Sequence, residues 1–418
     1  MEPLNHLALI WAGTLVAVIA ARATRLTPVL YYLAVGSVLV NLGWLPETSH
    51  PFIRGFAEVG IIVVMLALGF EENTSDFLNS VKRSWGIAFF GGLAPFLCAY
   101  FLAWYFWGDV NIALMCGLAM TATAVSLTMV SLRGEGLQRS PVATRIMTSA
   151  VIDDIAALAL IAVLVPVATG DEGLNAGDIA LVAGKAALFF MAVSVIGAWI
   201  IPHESRGWFS RLPLVSRYGA KHVLSFGRGE FVTVMVLLFA LVVGLLGHAL
   251  GLHVAVGAYM AGLILKQEYF HERDEAGSYQ DTKRIIDNIA FSWIGPVFFV
   301  VLGTRLVLDV DIFLSVIPET AVLTVGLFAA QVSSAGLAAR FTGGLTLPAA
   351  VMVGLGMLGR AELAFVVMEI AYIQNAVLNR EAFYTLMFAA FWLNVAVPVT
   401  IRLWRPYYER SREAAGAE

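Results

Sequence analysis

The sequence predicts an all-α polytopic membrane protein of 13 transmembrane helices, arranged as two inverted repeats of six around one linking helix. Three observations carry that expectation. The chain is 59% hydrophobic and only 13% charged over 418 residues, against about a quarter charged in ordinary soluble domains. Its apolar runs are long enough to cross a bilayer. Its basic residues fall in alternate connections between those runs.

The apolar runs lie near 4–22, 28–45, 54–71, 84–107, 110–132, 143–168, 178–201, 223–250, 252–267, 284–307, 311–339, 345–373 and 381–404. The first begins almost at once, without a basic leader or a small-residue cleavage site, and reads as a retained helix. Of the 26 Lys and Arg residues, all but Arg54, Arg305, Arg380, Lys185 and Arg360 lie in odd-numbered connections, in the span ends that border them, or at or beyond the end of the last span. The positive-inside rule then places the odd connections and the C-terminus in the cytoplasm and the N-terminus outside, as expected of a multi-pass protein of the cell's inner, cytoplasmic membrane. A net charge of −4 with scattered basic residues leaves no nucleic-acid footprint. Cys98 and Cys116 both sit in apolar spans and suggest no disulfide framework.

Six spans, a linker and six more give the two halves opposite orientations. Weak internal similarity between Pro28–Gly36 and Val254–Gly262 agrees with this. Inverted repeats place transport sites near the bilayer midplane, where corresponding helices are interrupted. Span five carries Thr121-Ala-Thr-Ala-Val-Ser-Leu-Thr128, small and β-branched hydroxyl residues able to satisfy freed backbone groups, although close helix packing would use similar residues. Span twelve, its repeat counterpart, carries Gly354-Leu-Gly-Met-Leu-Gly-Arg-Ala-Glu362, a poor helix and a costly membrane segment unless it lines a polar cavity.

Between these candidate breaks, the apolar stretch of span six contains Asp153 and Asp154. A carboxylate at membrane depth costs several kcal/mol unless it has a partner or a task. Adjacent helical positions point about 100° apart, so the two carboxylates can take different roles. A desolvated carboxylate, a hard oxygen ligand for an alkali cation, can hold either a cation or a proton, and that competition suffices for exchange.

These residues resemble the monovalent cation:proton antiporter superfamily, in the branch of NapA-type sodium/proton antiporters and Kef potassium/proton systems. The resemblance rests on Ser149-Ala-Val-Ile-Asp-Asp154, Leu66-Ala-Leu-Gly-Phe-Glu71, the Thr121 to Ser126 run, Gly295-Pro-Val-Phe-Phe-Val-Val-Leu-Gly303 and Gly356-Met-Leu-Gly-Arg-Ala-Glu-Leu-Ala364. It implies an NhaA/NapA-like fold with two crossing broken helices, in one membrane transport domain. A scaffold and dimerisation subdomain at about 1–83 and 223–310 would accompany an ion-transport core at about 84–170 and 311–404, with 405–418 as a short cytoplasmic tail. It further implies a homodimer working by elevator-type alternating access, without an enzymatic step or a cofactor, and serving pH homeostasis. Alkali cations and protons are the substrates. By resemblance Asp154 carries the ion, with Asp153 and the backbone around Thr121, Thr123 and Ser126 beside it and Ser149, Glu71, Gln331, Arg360 and Glu362 in support.

One departure bears on charge. Many electrogenic relatives carry a lysine that pairs with the first aspartate, at the position occupied here by Gln331. Glutamine can hydrogen-bond a carboxylate but cannot neutralise it. Asp153 is then expected to stay protonated or to donate a hydrogen bond to Gln331, unless Arg360 takes the lysine's place. Asp154 would be the single exchanging group and transport electroneutral. Arg360 and Glu362 are expected to form a buried ion pair or network holding the second break, the alternative being direct contact with the transported ion. Gly227-Arg-Gly-Glu230, which looks like another copy of that motif, reads as a loop feature. The leading expectation is Na+ (or another alkali cation)/H+ exchange. A K+/H+ exchanger uses the same carboxylates, and a sodium-coupled organic-anion symporter of similar fold would need a carboxylate clamp for which only Arg360 is available.

Overall fold

The computed structural model describes residues 2–24, 26–71, 74–138, 140–169, 176–195, 231–250, 252–265, 270, 279–307, 309–360 and 362–414. The Gly227–Glu230 motif lies outside them, as do the side chains of Glu71, Val125 and Ser126.

The regular structure of the described residues is helical. In order these helices are α1 (Glu2–Thr24), α2 (Pro28–Asn41), α3 (Pro51–Glu71), α4 (Thr74–Trp107), α5 (Val110–Ala119), α6 (Val125–Gly134), α7 (Pro141–Thr169), α8 (Ala176–Val195), α9 (Val232–Ala249), α10 (Val254–Ile264), α11 (Tyr279–Asn288), α12 (Gly295–Gly303), α13 (Val310–Ser315), α14 (Ile317–Phe341), α15 (Leu347–Gly356), α16 (Glu362–Glu369) and α17 (Arg380–Ala414). Single π turns, Ile289–Trp293 and Ile370–Gln374, extend α11 and α16. Starts follow the local chemistry. Proline occupies the first or second position of α2, α14 and α15, where its missing N–H costs nothing. Asp109 caps α5 by accepting from the Asn111 and Ile112 amides at 2.7 and 3.0 Å.

Eight helical stretches among the described residues are long and apolar enough to cross a membrane. Five of the expected spans hold shorter apolar helices instead: Pro28–Asn41, Val110–Ala119, Gly184–Val193, Val254–Ile264 and Leu347–Gly356. The expected spans 110–132 and 345–373 each hold two helices with non-helical residues between them, so hydropathy located them while missing the discontinuity it averaged over. Large apolar side chains such as Leu15, Ile19, Tyr105, Val234, Val325 and Leu403 remain exposed, as lipid-facing surfaces require.

The chain divides into two compact units, 1–14, 48–74 and 174–301, and 15–47, 75–173 and 302–418. In the first, α3 packs closely on α10. Gly69 faces the Tyr259 carbonyl and Leu263 amide, and Gly262 faces the Leu66 carbonyl and Phe70 amide, so neither position has room for a Cβ. Phe70 stacks on Tyr279 at 4.8 Å between centroids, and the Tyr279 hydroxyl donates to the Phe70 carbonyl at 2.9 Å. The second unit holds α4 to α7 and α13 to α17, and with them the aspartate pair and both interrupted helices.

Candidate functional site

Helix α5 ends at Ala119, and the chain runs non-helically to Ala124, whose extended conformation opens α6. Helix α15 ends at Gly356, and α16 begins at Glu362. The two interruptions touch: the Ala124 amide donates to the Gly359 carbonyl at 2.9 Å. The Thr128 hydroxyl adds a second tie, donating to the carbonyls of Ala124 and Gly356. Peptide groups orphaned by one break are therefore satisfied partly by the other, as backbone buried at membrane depth requires.

Asp153 sits on α7 beside this crossing and is 1% exposed, whereas Asp154 is half-buried. A Cβ placed on Gly92 of α4 would lie 2.6 Å from Asp153 Oδ1 and 3.4 Å from Thr121 Cγ2. The glycine is thus the wall that lets the carboxylate approach the backbone of α4. The Thr121 hydroxyl turns back to the Gly117 carbonyl at 2.9 Å. Thr123 lies within range of the Asp153 carboxylate, yet its Oγ1 and Asp153 Oδ2 are both buried without a partner of hydrogen-bonding geometry among the described residues. Buried polar atoms are otherwise almost always paired.

Arg360, in the second break, is fully buried. Its guanidinium donates from Nη2 to Gln331 Oε1 at 3.0 Å and from Nη1 to the carbonyls of Met357 and Gly359 at 3.3 and 3.2 Å. This puts a cation at the C-terminal end of α15, where the helix dipole favours it. Gln331 in turn donates from Nε2 to the Gly91 carbonyl at 3.0 Å, linking α14 to α4. Arg360 and Asp153 act on one another electrostatically without closing to an ion pair.

Across residues 10–404 the sequence matches the family described as "Sodium/hydrogen exchanger, transmembrane". The chain belongs to the sodium/hydrogen exchanger family. Among relatives it is 26% identical over 347 residues to the Na(+)/H(+)-K(+) antiporter GerN of Bacillus cereus, covering 81% of this chain and 80% of that one. It is 24% identical over 384 residues to the Na(+)/H(+) antiporter of Enterococcus hirae, covering 91% and 92%. It also resembles the glutathione-regulated potassium-efflux protein KefC of Salmonella arizonae, 27% identical over 63% of this chain but only 40% of that longer protein. The solved structure of the sodium proton antiporter MjNhaP1 from Methanocaldococcus jannaschii superposes with a TM-score of 0.70 at 14% identity, covering 96% and 99% of the two chains, which establishes the shared fold.

As a membrane cation/proton antiporter of this family, the protein gathers most of the residues its sequence singles out. Asp153, Thr121 and Thr123 meet at the crossing of the breaks, and Gln331 and Arg360 form the polar link beside them. Ser149, one turn before Asp153 on α7, is buried and donates to the Ser84 carbonyl at 3.5 Å. The Ser126 and Glu71 side chains lie outside the described residues. Two expected contacts are replaced. Gln331 does not bond Asp153, because its carbonyl oxygen accepts from Arg360 and its amide donates to Gly91. Arg360 is held by Gln331 and break carbonyls rather than by Glu362, which is itself buried on the first turn of α16. Sequence reasoning missed Gly91 and Gly92, and it missed Asn394 on α17. The signals were present: a Gly-Gly pair within an apolar span, and a lone amide in the last one.

Proposed function

We propose that this exchanger performs electroneutral alkali cation/H+ antiport, with Na+ as the leading cation and Asp154 as the single exchanging carboxylate. The observation that carries the reading is the buried meeting of Asp153 with the two breaks while Arg360 stands across from it. Arginine keeps its proton under all physiological conditions. In the lysine's role it can therefore neutralise Asp153 but cannot shuttle a second proton. A cation replacing one proton on Asp154 then moves no net charge. Alternating access is of the elevator type: every contact named at the crossing of the breaks closes within one compact unit, which allows the site to travel as a body. The protein works as a homodimer in the inner membrane, N-terminus outside and C-terminus inside, with 13 spans in an inverted 6+1+6 arrangement. The topology is supported by the alternation of basic residues and by apolar helices in all the expected spans.

Purified protein in liposomes tests the charge balance. Na+-driven proton movement should run at the same rate with or without an imposed K+/valinomycin potential. A rate that follows the potential contradicts electroneutrality. K+/H+ exchange is the second reading, favoured by the likeness to GerN, a Na(+)/H(+)-K(+) antiporter, and to the potassium-efflux protein KefC.

A further inference from the structure

The residue after Gly359 presents a backbone problem that its side chain does not solve. Within the second break, the Arg360 N–H and C=O lie outside any helix, and the residue is fully buried. Orphaned peptide groups at membrane depth must find partners. Both are met by one side chain 34 residues away: Asn394 Oδ1 accepts the Arg360 N–H at 3.0 Å, and Asn394 Nδ2 donates to the Arg360 carbonyl at 2.8 Å. A primary amide carries a donor and an acceptor on one planar group, so it pairs with a main chain as a neighbouring strand would. Asn394 is itself fully buried on α17, between the buried apolar residues Leu393 and Val397. Its Oδ1 also lies against Gly359, where an added Cβ would approach it to 3.1 Å.

We propose that Asn394 is a positioning residue for exchange: its two-pronged bond to the Arg360 backbone aims the guanidinium at Gln331 and holds its charge opposite Asp153. The Gly359 carbonyl receives both the Ala124 amide and Arg360 Nη1. Fixing the next peptide therefore fixes the crossing of the breaks and the arginine together. Leucine, of nearly the same shape, would fill the space without either bond and leave the break free to turn. The inference rests on the reading of this crossing as the cation/proton site.

The test is Na+-dependent proton flux in everted membrane vesicles for wild type, Asn394→Leu and Asn394→Ser, each checked for a monodisperse size-exclusion peak. Loss of two buried hydrogen bonds should raise the apparent KM for Na+ about tenfold in Asn394→Leu, with maximal velocity changed less than about threefold because the carboxylates are untouched. Asn394→Ser, which keeps one hydroxyl, should fall between. In an Arg360→Lys background Asn394→Leu should raise KM less than about twofold further, since residues acting through one another are not additive. An unchanged KM in Asn394→Leu, or an equal multiple in both backgrounds, overturns the proposal. If Asn394→Leu is not recovered folded, an unchanged KM in Asn394→Ser does so. Wild-type vesicles without flux for Na+, Li+, K+ or Rb+ would instead overturn the functional reading beneath it.

Discussion

Replacing Gly92 with alanine separates the geometry of the site from the stability of the fold. The new Cβ would stand 2.6 Å from Asp153 Oδ1. A carbon and an oxygen in unstrained contact sit about 3.3–3.6 Å apart, so the carboxylate or α4 must yield by roughly 0.7 Å or more. A carboxylate turned about 30° from its rotamer costs on the order of 0.5–1.5 kcal/mol. Alanine in place of a mid-helix glycine returns roughly 0.5–1 kcal/mol, so net stability changes little. Function is less forgiving. Reacting groups misplaced by about 1 Å lose up to about 100-fold, so exchange should fall roughly 10- to 100-fold. Fluorescence dequenching in everted vesicles gives the rate, and the melting temperature in detergent reports the fold. Gly91→Ala is the control, because its Cβ would meet the flexible end of Met357 and the Gln331 amide nitrogen at 3.3 Å, which small shifts absorb. Wild-type exchange in Gly92→Ala would refute the placement of Asp153 against α4.

Other perturbations read other parts of the structure. Gln331→Leu leaves the Gly91 carbonyl and Arg360 Nη2 without their partners, at a cost of about 1–3 kcal/mol each. The melting temperature should drop by several degrees, and an unchanged value would show that the link between α14, α4 and the break is not formed. In the other unit, Gly69→Val drives a side chain into the Tyr259 carbonyl and the Leu263 amide, backbone that cannot turn aside. Folded yield should collapse, whereas Gly55→Ala on the same helix, with nothing within 4 Å, should be tolerated. Equal yields of the two variants would rule out the close α3–α10 packing.

Hydropathy and charge made the membrane-spanning helices legible because those signals are summed over many residues and survive local error. The breaks were legible for a different reason. Hydroxyl residues at Thr121–Ser126 and glycines with Arg360 and Glu362 violate what a lipid-facing helix needs, and they do so at places that the expected inverted repeat would make equivalent. The partners were not legible. Gln331 could be placed opposite Asp153 only by counting along a helix, and the count cannot say which of several polar groups claims an amide. In the structure Arg360, on another helix, claims it. Gly92 and Asn394 escaped notice because each acts on a residue far away in sequence, 61 positions in one case and 34 in the other. A tertiary contact of that kind leaves only a local trace, an oddly small or oddly polar residue in an apolar run.

The account stands most directly on Asp154. Cation-dependent dequenching, scanned over Na+, Li+, K+ and Rb+ in vesicles bearing wild type or Asp154→Asn, should show exchange by the wild type and none by the variant, with the variant folded to wild-type yield. Exchange that persists in Asp154→Asn would contradict the assignment of that carboxylate as the ion carrier.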